Sequence, residues 1–174
     1  MPEKPLPDIV APGLRVLFCG INPSLLSAQR GHNFARPGDR FWPALHGAGF
    51  TPRRLRPEED RELLRHGLGI TNLVSRPTAA ASELGDDELR AGAAELEALV
   101  ARYRPRVVAI VGLGAWRTGF SRPRATVGLQ AQRIGGRPAW VLPNTSGLNA
   151  HHQLPELVRL FAELREWVEA APPP

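Results

Sequence analysis

Apolar residues along this chain fall into two kinds of run. In four places they are nearly continuous, at residues 14–19 (LRVLFC), 67–74 (GLGITNLV), 107–111 (VVAIV) and 139–142 (AWVL). An extended segment of that kind is apolar on both faces, which suits a strand buried in a parallel sheet. Elsewhere the spacing is helical. Leu89, Ala93, Leu96, Leu99, Val100 and Tyr103 keep a 3.6-residue period across 86–103, ended by Pro105, and Leu154, Leu157, Val158, Phe161, Leu164 and Trp167 form a stripe over about 153–168. Shorter helices are expected at Phe41, Trp42, Leu45 and Ala48 with Asp39 as cap and Gly49 as stop, after Pro57-Glu58-Glu59-Asp60, and over 115–120. Residues 121–138, rich in Arg, Gly and Gln, read as loop with some extended pairing. Strands alternating with helices predict an α/β fold, a three-layer α/β/α sandwich around a mainly parallel, about four-stranded central sheet. Residues 1–13 read as an irregular leader, 14–170 as a single domain and 171–174 as a disordered tail.

Composition supports one globular domain: 174 residues, 43% of them apolar. No run is long enough to span a membrane and the N-terminus lacks the apolar core of a signal peptide, so a soluble, cytoplasmic protein is expected. Cys19 is the single cysteine, which excludes an internal disulfide, and within an apolar strand it reads as a buried thiol rather than a nucleophile. The formal net charge is +5, and every one of the 22 basic residues except Lys4 is arginine. The planar fork of Arg binds phosphate, which fits a nucleic-acid partner, although GC-rich codon usage would produce the same excess together with the abundant Ala, Gly and Pro.

Two cofactor readings fail on spacing. Gly112-Leu113-Gly114 follows a strand and opens a helix, but Arg117 stands where a dinucleotide fingerprint needs its third glycine, and the acid expected about 20 residues on is absent. The two glycines fit a tight strand-to-helix turn instead. His151-His152 has no cysteine or third histidine at ligand spacing, so no metal site is expected, and the pair reads as helix-capping or solvated.

The candidate chemistry lies where strands end. Gly20 frees the backbone after the first strand, Asn22 offers an amide and Pro23 stops the extension; the last strand runs out into Asn144-Thr145-Ser146-Gly147-Leu148-Asn149. Ligands of open α/β sheets bind outside the carboxyl ends of strands. Each segment alone is also an ordinary turn composition. Residues 24–40 form a polar stretch too long for a plain connector, and its Phe34 is either a plug on the core or a stacking platform.

Four motifs in order, GINPSLLSA, HNFARPGDRFW, GITNLVSRPT and WVLPNTSGLN, resemble the mismatch-specific uracil-DNA glycosylases, bacterial relatives of thymine-DNA glycosylase, over residues 11–164. The resemblance implies an enzyme that flips uracil out of duplex DNA and cuts its N-glycosidic bond without metal or cofactor, leaving an abasic site. It makes Asn22 the holder of the attacking water and places Asn144 near the base and sugar. Phe34 would stack on the flipped base, with backbone amides near Ile21 and Phe34 meeting its carbonyls. Ser146, Gly147, Leu148 and Asn149 would meet DNA, Leu148 as the wedge and Gly147 with Asn149 facing the widowed guanine. Four positions depart from the family pattern. Ser24 replaces a Gly and would narrow the pocket at the base's 5-position. Thr145 replaces a Pro and would loosen that loop, Asn72 replaces a Lys beside the base, and Ala150 stands where an Arg often follows the wedge. The implied partner is double-stranded DNA with a G:U or G:T mismatch, bound by a monomer. Lys4 being the chain's one lysine, a Schiff-base lyase step lacks its amine. Arg36, Arg40 and Arg76 are the phosphate-contact candidates by their place beside the motifs. Two rivals are a glycosylase of shifted range (ethenocytosine, single-stranded uracil) and a damaged-base binding protein with little turnover.

Overall fold

The computed structural model describes residues 5–170, so Lys4 and the 171–174 tail lie outside the described residues. In chain order the elements are β1 (Val16–Gly20), α1 (Leu25–Arg30), α2 (Phe41–Gly47), a kinked 3₁₀ segment (Pro57–His66), β2 (Leu68–Asn72), α3 (Asp86–Tyr103), β3 (Val108–Val111), α4 (Leu113–Gly119), β4 (Gly128–Ile134), β5 (Arg137–Leu142) and α5 (Leu154–Ala170). The strands lie in the order β2-β1-β3-β5-β4; β4 is antiparallel to β5 and the other pairings are parallel.

Both faces of the sheet are covered, which is why its strands read as continuous apolar runs. Val16 and Phe18 of β1 pack with α2 and α5, among Phe41, Leu45 and Phe161, while Leu17 and Cys19 face α3 and α4, among Leu96, Val100 and Trp116. The Cys19 thiol is buried between these layers, as expected for a small apolar filler. Arg40 rather than Asp39 holds the N-cap position of α2, and Asp39, one residue outside it, accepts the backbone N–H of Phe41 at 2.9 Å.

Two expectations change. The sheet has five strands, because β4 lies inside the stretch read mainly as loop. It is an edge strand whose Gln130, Gln132 and Arg133 leave no apolar run to detect, and only Ile134 at its end is fully buried. The 24–40 stretch is not all loop: Ser24 caps α1 by accepting the Ser27 N–H at 3.0 Å, and Gly31 ends the helix in the left-handed region at φ 76°. Residues 5–13 carry no helix or strand of their own. Leu6 and Ile9 are nevertheless buried, and Ile9 exchanges two backbone hydrogen bonds with Ile70 at 2.9 and 3.0 Å.

β1 sits between β2 and β3, so the chain leaves the centre of the sheet in opposite directions on its two sides. That switch point opens a crevice at the carboxyl ends of β1 and β3. Gly112 makes the turn from β3 into α4 at φ 153°, where a Cβ would stand 2.8 Å from the Ile21 side chain. A glycine is required there by both backbone and contact, in keeping with the turn reading of 112–114.

Candidate active site

A cleft of about 570 Å³ opens at this edge. Ile21, Asn22, Ser24, Phe34, Asn72, Asn144, Ser146, Leu148 and Asn149 all line it, so the structure brings nearly every sequence-derived candidate to one place. Gly147 is exposed beside it.

On the β1 side the first requirement is close approach. A Cβ on Gly20 would lie 2.7 Å from Asn72 Oδ1 and 3.2 Å from Phe34 Cζ, so only glycine lets both side chains close over the strand end. Beyond β2 the chain keeps running beside β1: Leu73 N–H donates to Gly20 O at 2.8 Å, Val74 N–H to Ile21 O at 2.9 Å and Thr78 N–H to Pro23 O at 3.2 Å. This brings Arg76 and Thr78 against Asn22. Asn22 Nδ2 donates to Arg76 O and to Thr78 Oγ1, both at 2.8 Å, and Thr78 Oγ1 in turn donates a hydrogen bond to Ala80 O at 2.8 Å. With both amide hydrogens used, Asn22 keeps Oδ1 as an acceptor in the cleft.

Phe34 is both a plug and a wall. It stacks on Phe41 with ring centroids 4.1 Å apart and planes 10° from parallel, and it lines the cleft. Its backbone is left-handed at φ 51°, a conformation that costs a non-glycine residue roughly 1–2 kcal/mol. The neighbours hold it there. Asn33 N–H donates to Asp60 Oδ2 at 3.0 Å, and Ala35 N–H donates to Ser27 Oγ at 2.9 Å. Ser24 Oγ in turn donates to Ser27 Oγ at 3.0 Å. The hydroxyl of Ser24 thus caps α1 and braces the Phe34 turn, while its residue also lines the cleft.

Asp60 was legible only as an acid at a helix start. It is 3% exposed and lies under the cleft wall: Asn33 Nδ2 also donates to its Oδ2 at 3.3 Å, and Asn72 Nδ2 donates to Asn33 Oδ1 at 3.2 Å. His32 Nδ1 stands 3.4 Å from its other oxygen. Asp60, Asn33 and Thr78 were all missed by sequence reasoning. Their partners lie 27 to 56 residues away, and no local pattern marks such pairings.

On the β5 side the loop is clamped through its backbone. Arg40 N–H and Nε donate to Thr145 O at 3.0 and 3.3 Å; its Nη2 donates to Ser146 O at 2.7 Å and Asn149 O at 3.1 Å, and its Nη1 to His152 O. Thr145 is fully buried, and its hydroxyl donates to Asp39 Oδ1 at 2.8 Å. This threonine is an anchor of the loop. Burial pushes the Asp39 carboxyl above its usual range, against the pull of the Phe41 N–H, the Thr145 hydroxyl and the Arg40 and Arg36 charges.

Asn144 Oδ1 accepts Ser146 N–H at 3.0 Å, which leaves its Nδ2 as the group free to donate. Asn149 braces its own loop, donating from Nδ2 to Asn144 O at 2.8 Å and accepting His151 N–H on Oδ1 at 3.0 Å. A Cβ on Gly147 would come within 2.9 Å of Gly38 O, so the loop packs tightly on the 36–39 turn. Leu148 stands out at the rim, 65% exposed.

The phosphate-contact candidates divide. Arg40 is committed to the loop, Arg76 pairs with Glu88 at 2.8 and 2.9 Å and also reaches Glu83 O, and Arg36 makes one long contact, 3.4 Å to Ala79 O. The Arg76 guanidinium holds the Glu88 carboxyl at about 2. Among the described residues, no three His, Cys, Asp or Glu side chains cluster as a metal site, and no helix is long and apolar enough to cross a membrane.

Comparison with known proteins points one way. The model of the uracil DNA glycosylase superfamily matches residues 7–169. Among solved structures, the chain is similar to a protein from Methanosarcina acetivorans whose solution NMR structure is described as that of a candidate uracil DNA glycosylase. The two share 20% identity over 92% of this chain and 96% of that one, with a TM-score of 0.59. At that identity the likeness speaks for the fold.

Proposed function

Because the chain belongs to the uracil DNA glycosylase superfamily, whose members hydrolyse N-glycosidic bonds in DNA, we propose that it is a monofunctional enzyme that flips uracil, preferentially opposite guanine, and leaves an abasic site. The observation that carries this reading is the Asn22 amide, held by Arg76 O and Thr78 Oγ1 so that Oδ1 is its remaining polar atom in the cleft that Phe34 also lines. A base inside a duplex is out of reach, so chemistry on it needs extrusion and something to fill the gap. Leu148, exposed on a clamped loop at the rim, is the side chain suited to that task.

The chemistry assigned to each group follows from its protonation options. Uracil departs as an anion, and neutral donors aimed at its oxygens lower the barrier; backbone amides near Ile21 and Phe34 and the Nδ2 of Asn144 are the available donors. Asn22 Oδ1 can accept a hydrogen bond from water and so aim its lone pair at the sugar carbon, but an amide does not take up a proton at neutral pH. The expected outcome is slow hydrolysis with weak general-base help. The enzyme is proposed to act as a cytoplasmic monomer.

The test uses duplexes carrying U:G, U:A, T:G and ethenocytosine:G, with single-stranded uracil alongside, read by alkali cleavage at enzyme excess. Wild type should cut U:G fastest, and Asn22→Ala should lose on the order of 10²-fold or more in single-turnover rate while keeping affinity. Tight binding without abasic product from any substrate would favour a binding protein. Faster cutting of ethenocytosine or single-stranded uracil would shift the substrate assignment. Asp39, the half-buried carboxyl lining the cleft, supplies the sharpest challenge: a rate that climbs through a carboxylate-like pKa and vanishes in Asp39→Asn would replace the water-orienting reading with a true base.

A further inference from the structure

Hydrogen-bond polarity runs in one direction through the cleft wall. Asp60 Oδ2 takes the backbone N–H of Asn33 at 3.0 Å, and a backbone N–H can only donate, so this oxygen is an acceptor. The side chain of Asn33 must then turn Nδ2 toward it, at 3.3 Å, and Oδ1 away from it. Asn72 meets that Oδ1 with Nδ2 at 3.2 Å. Asn72 is left presenting its own Oδ1 beside Gly20 and the Phe34 ring, and no donor among the described residues reaches it. Rotating either amide by half a turn would change its shape hardly at all. What chooses between the two arrangements is the buried carboxylate two side chains back.

We infer that Asp60 is a positioning residue that sets, through Asn33, the hydrogen-bond polarity Asn72 offers to the base, so that the pocket reads an imide N–H. The inference rests on the reading above that the flipped base lies against Phe34. An acceptor at Asn72 matches the N3–H of uracil or thymine and opposes the unprotonated ring nitrogen of cytosine. Two acceptors facing each other leave both unsatisfied in a desolvated site, which costs more than a missing contact. Without Asp60, the Asn33 amide can turn, Asn72 can follow, and the pocket no longer distinguishes the two base edges. An asparagine at position 60 would preserve the chain, because its Oδ1 can replace the carboxylate oxygen at Asn33 while its Nδ2 faces the His32 ring, 3.4 Å from the present Asp60 Oδ1.

The experiment measures binding, so it does not depend on turnover. Duplexes carry 2′-fluorinated deoxyuridine or deoxycytidine, whose glycosidic bonds resist cleavage, opposite an abasic spacer that removes pairing bias. Fluorescence anisotropy gives the ratio of the two dissociation constants for wild type, Asp60→Ala, Asp60→Asn, Asn33→Ala, Asn72→Ala and the Asp60→Ala/Asn72→Ala double variant. Wild type should prefer the uridine analogue by roughly 10-fold, the worth of about one hydrogen bond in such a site. Asp60→Ala, Asn33→Ala and Asn72→Ala should each bring the ratio to about 2 or below, and the double variant should go no lower than the singles, since the effects share one route. Asp60→Asn should keep the wild-type ratio. If Asp60→Ala proves too unstable to titrate, Asn33→Ala breaks the same chain at its middle and decides the question. The inference is overturned if wild type shows no preference, if Asp60→Ala weakens both ligands alike with the ratio intact, or if the ratio changes add in the double variant. A wild type that discriminates between the analogues but cuts no uracil would sink the glycosylase reading alone, and one that binds neither analogue would overturn both.

Discussion

At the β1 end of the cleft the polar side chains are pinned one by one, whereas at the β5 end it is the backbone that is held. Asn22, Asn33 and Asn72 each have a fixed amide orientation because a partner of known polarity meets them. The 144–152 loop is gripped by Arg40 through four carbonyls and by Asp39 through Thr145, which leaves Leu148 without core contact of its own. Under the proposed function, the difference follows from what each end must present. A site that orients water and reads a base edge needs atoms of fixed hydrogen-bond character, supplied by buried networks. A wedge needs only a rigid stalk and an apolar tip.

The contrast can be broken most severely at Arg40. Arg40→Met keeps the stem and the backbone N–H on Thr145 O but removes every side-chain donor from the loop carbonyls, and the protein should lose about 2–3 kcal/mol of unfolding free energy, read by urea titration. Limited proteolysis should then cut within 144–152. Should the loop stay protease-resistant with stability intact, the clamp is not what holds it.

Leu148→Ala should separate the two ends. Stability should stay within about 0.5 kcal/mol because the side chain is exposed, while affinity for a U:G duplex falls on the order of tenfold and single-turnover chemistry at saturation survives. Unchanged affinity would remove Leu148 from the wedge role.

The smallest effect is a matter of sign. Asp39 has its folded-state pKa raised by burial, so the folded protein binds more protons than the unfolded chain above pH 3.8; this carboxyl's contribution to stability is present below 3.8 and is lost as pH rises through the raised value. Glu88 runs the other way: held at about 2 by Arg76, it contributes stability above 4.5 that disappears as pH falls toward 2. Asp39→Asn should therefore gain on wild type between pH 3 and pH 7, and Glu88→Gln should lose on it over the same interval. Urea midpoints at the two pH values check both signs, and a parallel response of the two variants would contradict the burial of Asp39.

Much of the sheet was legible because a strand covered on both faces has to be apolar throughout, as 14–19 and 107–111 are. β4 escaped because an edge strand with one solvated face can be built from Gln and Arg. The start of α1 was hidden because Asn-Pro-Ser reads equally as a turn and as a cap. Within the site, Asn22 and Asn144 were found by their place at strand ends and by resemblance, Phe34 by its place in the long polar stretch and by resemblance, and Asn72 by resemblance alone, and the fold places all of them at one cleft. Their supporting atoms were out of reach. Arg40 follows the loop it belongs to but serves one more than a hundred residues away, and Asp60 sits in a run of acids where nothing marks the one that turns inward.

The pairing of Ile9 with Ile70 has a meaning beyond the cleft. β2 is the open side of the sheet, and an uncovered parallel edge offers its N–H and C=O groups to any passing strand. Ile9 occupies both groups of Ile70, and Gly69 beside it has no side chain to hold the segment off, since a Cβ there would lie 2.3 Å from Ile9 O. The short N-terminal stretch thus covers part of that edge. A chain trimmed to begin at Leu14 would lose only Leu6 from the cleft lining and yet expose a template for pairing with its own copies.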